Sequence, residues 1–425
     1  VPARRRKQNN LKFSLRELLK LNKEEKDDFF DDEPIGHEEE EEEIRNSHLR
    51  RYLIIGVAAV ILVAVLFGGV KYIVDHFHYR AYEVVAEKQG GDNGLAGYAV
   101  LQDKILKYSN DGISLMDQDL TTVWNQSIVY GNPVVSVSGA YAVLYDRMGT
   151  DVSVYDRKGN VSSFKMDLPI ITARISEKGN VALILDNSTS ALVKYYTAGG
   201  SLIADINGGS TDKGQPVNVD ISEDGTILAV SFLKAGEDGI NAELAVYRFS
   251  GDTLQKGDNL AFSEVSAGTV IPDVVIGNKR ILALQESGFT TYKTGSEIKK
   301  ENTVAFDDNI ISCFYNREHI GFVFSNVGSS QRYRIQVYDF DGNEIFRTDT
   351  DFIYDSISME DDSVLMHNSS EMAVYTLKGH LRYSGVISDG GISNVIRLSR
   401  NRYVTSGNTR MRIIQLKLLD SGNAE

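Results

Sequence analysis

Residues 217–232, VNVDISEDGTILAVSF, followed by residues 242–254, AELAVYRFSGDTL, decide the fold class. Apolar side chains alternate with polar or small ones up to the turn at 222–225, resume beyond it, and stop at a second Gly-Asp turn. A period of two marks strands, and an Asp-Gly pair between two such runs marks a hairpin. The same grammar stands immediately upstream in ITARISEKGNVALIL (171–185) and ALVKYYTAGGSLIAD (191–205). It recurs in VVSVSGAYAVLYD (134–146) with DVSVYDRKGNVSSFKMD (151–167), in IQVYDFDGNEIF (335–346) and in MAVYTLKGHLRYS (372–384). Each unit reads as four strands, a to d, at a spacing of roughly 36 to 54 residues, the range of propeller blades.

Units fall near 96–128, 132–168, 170–206, 215–260, 269–306, 309–350, 352–388 and 391–417. The last lacks a fourth strand, and YEVVAE (82–87), just ahead of the first unit, supplies one. Pairing the two chain ends within one blade protects the sheet edges that an open ring would expose. The expected fold is therefore all-β, an eight-bladed β-propeller of four-stranded blades over 82–417, with seven blades as the alternative and a short tail at 418–425.

Composition agrees with that reading. Thirty-seven glycines against six prolines, with 21 tyrosines, suit short strands joined by tight turns. The only cysteine, Cys313, excludes an intramolecular disulfide, so the core must hold the domain. A net charge of -14 argues against a nucleic-acid partner, which needs a basic footprint.

Ahead of the repeats, residues 52–70 read YLIIGVAAVILVAVLFGGV, an uncharged run of 19 that spans roughly 28 Å as a helix. It has no polar face, which separates it from a core helix, and about fifty residues precede it, which separates it from a cleavable leader. We expect a transmembrane helix over 51–74 and a tether over 75–81. Arg45, Arg50 and Arg51 before the span outweigh Lys71 and Arg80 after it, so the positive-inside rule puts the N-terminus in the cytoplasm and the propeller outside. A tether of about seven residues reaches roughly 23 Å at most, so the face bearing the a-to-b and c-to-d turns is expected to lie toward the membrane.

The tail, 1–50, segregates its charge: nine Lys/Arg against three Glu in 1–26, then eleven acids in 27–43. Such a composition is expected to be mostly disordered. The exception is 14–21, where Ser14 and Glu17 form a capping box ahead of Leu15, Leu18 and Leu19 and predict a short amphipathic helix. That helix suits the anionic inner leaflet or a cytoplasmic partner; the alternative is a solvated tail that only sets topology.

Catalytic grammar is absent: no G-x-S-x-G elbow, Walker-A or Rossmann glycine pattern occurs. His319 falls in one unit and His367 and His380 in the next, without metal-ligand spacing, and Cys313 reads as an inert buried thiol. DFDGN (339–343) has some calcium-loop character but stops before the distal ligands, and reads as a hairpin turn. No cofactor or metal is expected. Aligned by their turns, the inner strands place Ser136, Thr172, Arg174, Asn218, Asp220, Asp273, Ser312, Ser356 and Arg397 on one face. These residues either line the central channel, with Arg174 and Arg397 facing anions, or tie neighbouring blades together by hydrogen bonds. Long b-to-c loops at 233–241 and 326–332, with Lys234, Glu237, Asp238, Asn326, Gln331 and Arg332, and long connections between blades at 206–215 and 263–269, lie on the opposite face from the short turns and mark it for partner binding.

The turn grammar resembles that of the WD40-like and quinoprotein-like propeller superfamily, and MDQDLTTVW (116–124), with Asp117, Thr121 and Trp124, resembles a degenerate quinoprotein-type repeat. With its anchor helix the chain is also similar to a Gram-positive bacterial family of membrane-anchored propellers, a domain of unknown function. The resemblance covers the chain and implies an architecture without implying an activity. The expected function is non-enzymatic: a membrane-anchored extracytoplasmic scaffold for a protein or cell-envelope partner. The rival is a quinone-dependent dehydrogenase or polysaccharide-active enzyme that uses the channel-lining residues.

Overall fold

Short apolar runs, buried almost continuously in middle strands and alternating with exposed positions in some outer ones, give rise to 32 strands among the described residues. The computed structural model describes residues 52–69, 72, 77–89, 95–187, 191–207, 214–236, 239–250, 259–387 and 391–418. The chain divides into two units, Val1–Tyr72 and Ile73–Glu425.

In the first unit, helix α1 (Tyr52–Gly69) is 18 residues of exposed apolar side chains, long and apolar enough to cross a membrane. The tail, including the helix expected at 14–21, lies outside the described residues.

The second unit begins its sheet structure with β1 (Ala81–Gln89). Blade 1 is built from β2 (Gly97–Leu101), β3 (Lys104–Tyr108), β4 (Gly112–Met116) and β5 (Thr122–Ser127). Blade 2 follows with β6 (Pro133–Ser138), β7 (Tyr141–Asp146), β8 (Asp151–Asp156) and β9 (Gly159–Lys165). Blade 3 holds β10 (Ile170–Ile175), β11 (Val181–Asp186), β12 (Ala191–Tyr196) and β13 (Leu202–Asn207), and blade 4 β14 (Gln215–Ile221), β15 (Ile227–Gly236), β16 (Gly239–Arg248) and β17 (Leu260–Ala267). Blade 5 comprises β18 (Val274–Gly277), β19 (Arg280–Gln285), β20 (Gly288–Thr294) and β21 (Ile298–Ala305). Blade 6 has β22 (Ile310–Tyr315), β23 (His319–Ser325), β24 (Tyr333–Asp339) and β25 (Glu344–Thr350), and blade 7 β26 (Ser356–Glu360), β27 (Ser363–His367), β28 (Glu371–Thr376) and β29 (Leu381–Val386). Blade 8 takes β30 (Asn394–Ser399), β31 (Arg402–Ser406) and β32 (Arg410–Lys417), and its outer strand is β1.

Eight antiparallel sheets of four strands make an eight-bladed propeller, which decides between eight blades and seven. The closure is the one the missing fourth strand required. β1 runs antiparallel to β32 from Ala81↔Lys417 to Gln89↔Arg410, with a bulge between Val84 and Ala86. Just before it, the backbone of Tyr79 donates to the carbonyl of Arg382 in blade 7 at 2.7 Å.

The ring is held by apolar packing between blades. A buried cluster fills the junction of blades 3 and 4, where Tyr195, Ile184 and Val193 meet Val219, Leu228, Val230 and Phe232. At the junction of the first and last blades, Tyr98, Ile105 and Met116 meet Val404, Met411 and Ile413. Each such large side chain, once fully buried, contributes about 1.5–3 kcal/mol.

Two segments differ from the sequence expectation. Residues 263–269 were expected to connect blades, whereas 260–267 form β17, the outer strand of blade 4, with alternating half-buried and exposed side chains. An outer strand buries one face only, so Glu264 and the serines there look loop-like in sequence. Residues 233–241 are also not a loop. β15 and β16 stay in register out to Gly236↔Gly239, forming a projecting hairpin whose tip, with Glu237 and Asp238, lies outside the described residues.

Candidate functional site

The inner strands converge on a cavity of about 1050 Å³. Its wall takes residues from β2, β6, β10, β14, β18 and β22, which places it on the propeller axis. The a-to-b turns, with Gly139, Glu177, Glu223, Asn278, Arg317 and Asp361, complete the lining, so the cavity opens at the short-turn face.

Of the inner-strand residues singled out by sequence, Ser136, Arg174 and Asp220 line this cavity. Asn218 and Asp273 form a tie between blades 4 and 5, in which Asn218 Nδ2 donates to Asp273 Oδ1 at 2.6 Å. Asp220 makes a second tie, accepting the backbone N–H of Ile276 at 2.7 Å. Ser312 shares a hydrogen bond with the Tyr354 hydroxyl at 2.8 Å, joining blade 6 to the connection into blade 7. Thr172 is half-buried and Ser356 exposed, and neither lines the cavity. Arg397 is buried between blades 7 and 8, donating to the Glu360 carbonyl and to Asp362 Oδ1, each at 2.6 Å. It therefore faces its own neighbours rather than the open cavity.

Arg317 went unnoticed in the sequence because it sits in a turn. From blade 6 its Nη1 donates to the carbonyls of Ile276 at 2.7 Å and Ile221 at 3.1 Å, crossing to blades 5 and 4, and lies 3.8 Å from Asp220 Oδ2. Burial pushes the Asp220 carboxyl above its ordinary range, and Arg317 pulls it partly back. Asp273 is raised for the same reason, against the pull of the Tyr315 hydroxyl and Arg174. Burial opposes the charge of Arg174, but Tyr315, Asp220 and Asp273 outweigh it and hold the guanidinium above its ordinary value. Unlike Arg317 and Arg397, Arg174 makes no hydrogen bond and no ion pair among the described residues.

The other sequence candidates have structural roles. Trp124 stacks on Tyr155 of blade 2 at 5.5 Å between ring centroids and donates Nε1–H to the Arg157 carbonyl, so the degenerate quinoprotein-type repeat supplies an interblade clasp. In the 339–343 turn, Asp339 Oδ1 accepts the backbone N–H groups of Asp341 and Asn343, as a hairpin turn requires. Cys313 is partly buried, and burial pushes its thiol up, away from the reactive thiolate. Among the described residues no three His, Cys, Asp or Glu side chains are placed to hold a metal ion.

On the opposite face, Lys234 pairs with Glu243 along the projecting hairpin. Asn326 and Arg332 close the turn between β23 and β24 through a backbone hydrogen bond of 3.0 Å, and the Gln331 N–H donates to Ser329 Oγ.

Residues 75–416 match the sequence pattern of a family of unknown function, DUF5711. The chain belongs to the DUF5711 family. The DUF5711 match takes in every strand of the propeller except the last residue of β32. Among solved structures the chain is similar to BamB from Moraxella catarrhalis, at 12% identity and a TM-score of 0.50, over 79% of this chain and 100% of that one. It is also similar to the Cps50 (Swd1) β-propeller domain of Myceliophteria thermophila, at 10% identity and a TM-score of 0.45, over 79% of this chain and all of the other. The Pan2 WD40 domain of Neurospora crassa is 10% identical with a TM-score of 0.43, over 67% of this chain and 89% of that one. At these identities the likeness concerns the fold. No curated protein matches the sequence.

Proposed function

We propose that this DUF5711 protein is a membrane-anchored scaffold whose propeller binds a protein partner through the face bearing the b-to-c and d-to-a segments. The observation that carries this reading is where the exposed apolar side chains stand. Val129, between blades 1 and 2, is 93% exposed, and Val327, in the turn between β23 and β24, is 92% exposed. Ile353, between blades 6 and 7, Ile240, on the blade 4 hairpin, and Met148, between β7 and β8, are also exposed and on the same face. The short-turn face presents mainly charged and polar residues at its tips, among them Asp103, Lys158, Glu223, Asp341 and Asp361. Apolar groups left in water on a rigid rim favour protein association, and charged tips do not.

Met148 adds a detail. Its backbone adopts a φ of 64°, uncommon for a residue with a side chain, and is fixed by a 2.8 Å hydrogen bond from its N–H to the Ile170 carbonyl. The fold thus maintains a strained turn that presents an exposed methionine, the adaptable residue of many binding surfaces.

In this reading α1 crosses the membrane with its basic flank in the cytoplasm and the propeller outside, an orientation supported by the positions of Arg45, Arg50 and Arg51. The chain enters β1 at the end where Ala81 pairs with Lys417, on the short-turn side of the last blade. Converting Val327 and Ile353 to aspartate tests the proposal, because both are exposed and should not perturb folding. Partner binding is expected to fall at least about tenfold with melting unchanged; undiminished binding would refute it.

A further inference from the structure

The axial cavity contains a feature that blade-to-blade ties do not explain. Arg317 and Arg397 each spend their donors on backbone carbonyls or on Asp362. Arg174 lines the same cavity as Arg317, yet its guanidinium makes no hydrogen bond or ion pair among the described residues. The carboxylates nearest in charge are already engaged: Asp220 by the Ile276 N–H and Asp273 by Asn218. The Arg174 guanidinium therefore lines the cavity with no hydrogen bond or ion pair among the described residues to hold its planar donors.

At the mouth the arrangement reverses. Glu177 and Glu223 sit side by side because the Glu177 N–H donates to the Glu223 carbonyl at 3.1 Å, linking the turns of blades 3 and 4. Both side chains are exposed, both line the cavity, and neither makes a hydrogen bond or ion pair among the described residues. Glu177 follows Arg174 by three residues, in the turn beyond the end of β10 at Ile175, so their Cα atoms are at most roughly 11 Å apart. The cavity therefore holds inside it a cation without a hydrogen bond or ion pair among the described residues, and an acidic rim in which the side chains of Glu177, Glu223 and the exposed Glu318 are likewise without one.

We propose that the cavity binds a short peptide with free termini, its carboxylate held by Arg174 and its ammonium group by Glu177 and Glu223. A lone anion would have to pass the acidic rim, and a lone cation would leave the guanidinium unsatisfied, so a ligand carrying both charges fits best. A volume of about 1050 Å³ accommodates a peptide of a few residues and is generous for a single amino acid. This site lies on the face opposite the proposed docking surface, so either proposal can fail without the other.

The test is calorimetric titration of the full chain in detergent with trialanine, its C-terminal amide, its N-acetyl form and glycine. Trialanine is expected to bind saturably, and the amide at least about tenfold more weakly, the size of a charge-assisted hydrogen-bond pair. Arg174→Gln should abolish the preference for the free carboxylate, and Arg174→Lys should retain part of it. Glu177→Gln combined with Glu223→Gln, both at exposed turn positions, should remove the preference for trialanine over its N-acetyl form while leaving the melting temperature in place. No saturable binding of trialanine, equal binding of the amide, or glycine binding as tightly as trialanine would overturn the proposal.

Discussion

The guanidinium of Arg412 donates through Nε to Glu87 Oε2 at 2.9 Å, across 325 residues of chain. It lies within the β1–β32 pairing that closes the ring, and Lys417 with Glu83 makes a second ion pair at its other end, at 2.6 Å. The last blade thus depends on a strand from the opposite end of the domain. A chain beginning at Gly94 should expose the edge of β32 and melt roughly 10 °C lower or aggregate, since each kcal/mol shifts a large domain by about 2–4 °C. Glu87→Ala alone should cost about 1 kcal/mol, because Glu87 is partly exposed and its pairing is screened. Thermal melts monitored by circular dichroism check both, and unchanged melting of the shortened chain would contradict this closure.

Gly277 ends β18, and a Cβ there would overlap the backbone carbonyl of Arg317, in the turn of blade 6 that crosses to blades 4 and 5. Backbone cannot move aside as a flexible side chain can. Gly277→Ala should therefore destabilise the ring by about 1–3 kcal/mol, as overpacking does. Gly159→Ala is the control for an added methyl group, since a Cβ at that exposed turn meets nothing within 4 Å, although its φ of 125° brings some backbone strain of its own. Chemical denaturation should rank Gly277→Ala as the less stable of the two.

The buried Asp220 and the largely exposed Asp362 predict opposite dependences on pH. Burial raises Asp220, so the folded protein holds that proton more tightly than the unfolded chain. Its favourable contribution is complete below the unfolded value, about 4, and is lost as pH rises through the higher folded value. Burial also acts on Asp362, but Arg397 outweighs it and lowers the carboxyl. That contribution is present above the unfolded value and is lost as pH falls through the folded one. Asp220→Asn should therefore gain on the unmodified protein as pH rises above about 4, whereas Asp362→Asn should lose ground as pH rises toward about 4 from below. The Asp362 effect should be the smaller, because its side chain is 59% exposed. Melting temperatures measured every half unit of pH show whether the two differences run in opposite directions.

Much of the fold was legible because it is local. The Ser-Glu-Asp-Gly turn at 222–225 and its repeats announce hairpins, and a missing fourth strand after Lys417 has one matching candidate in 82–87. β17 was not legible, because an outer strand buries a single face and Glu264 there pairs with Lys300 of the next blade rather than marking a loop. The axial site was only half legible. Arg174 and Arg397 are the same residue type on corresponding inner strands, and only their neighbours distinguish them: Asp362 and the Glu360 carbonyl hydrogen-bond to one, and the other makes no hydrogen bond or ion pair among the described residues. Glu177, Glu223 and Arg317 lie in turns whose local pattern carries no information about the blade they will face.

The central claim is that a protein partner docks on the face carrying Val129, Met148, Ile240, Val327 and Ile353. Its most direct measurement is site-specific photo-crosslinking in intact cells, with the photoreactive residue placed in turn at Met148, Val327 and Ile353 and, on the opposite face, at Lys158, Asp341 and Lys378. All six positions are on loops or turns, so each reports contact without disturbing a strand. The account predicts one discrete adduct, of the same mass, from the first three positions and none from the second three. Adducts confined to Lys158, Asp341 and Lys378, or none from any position, would contradict it.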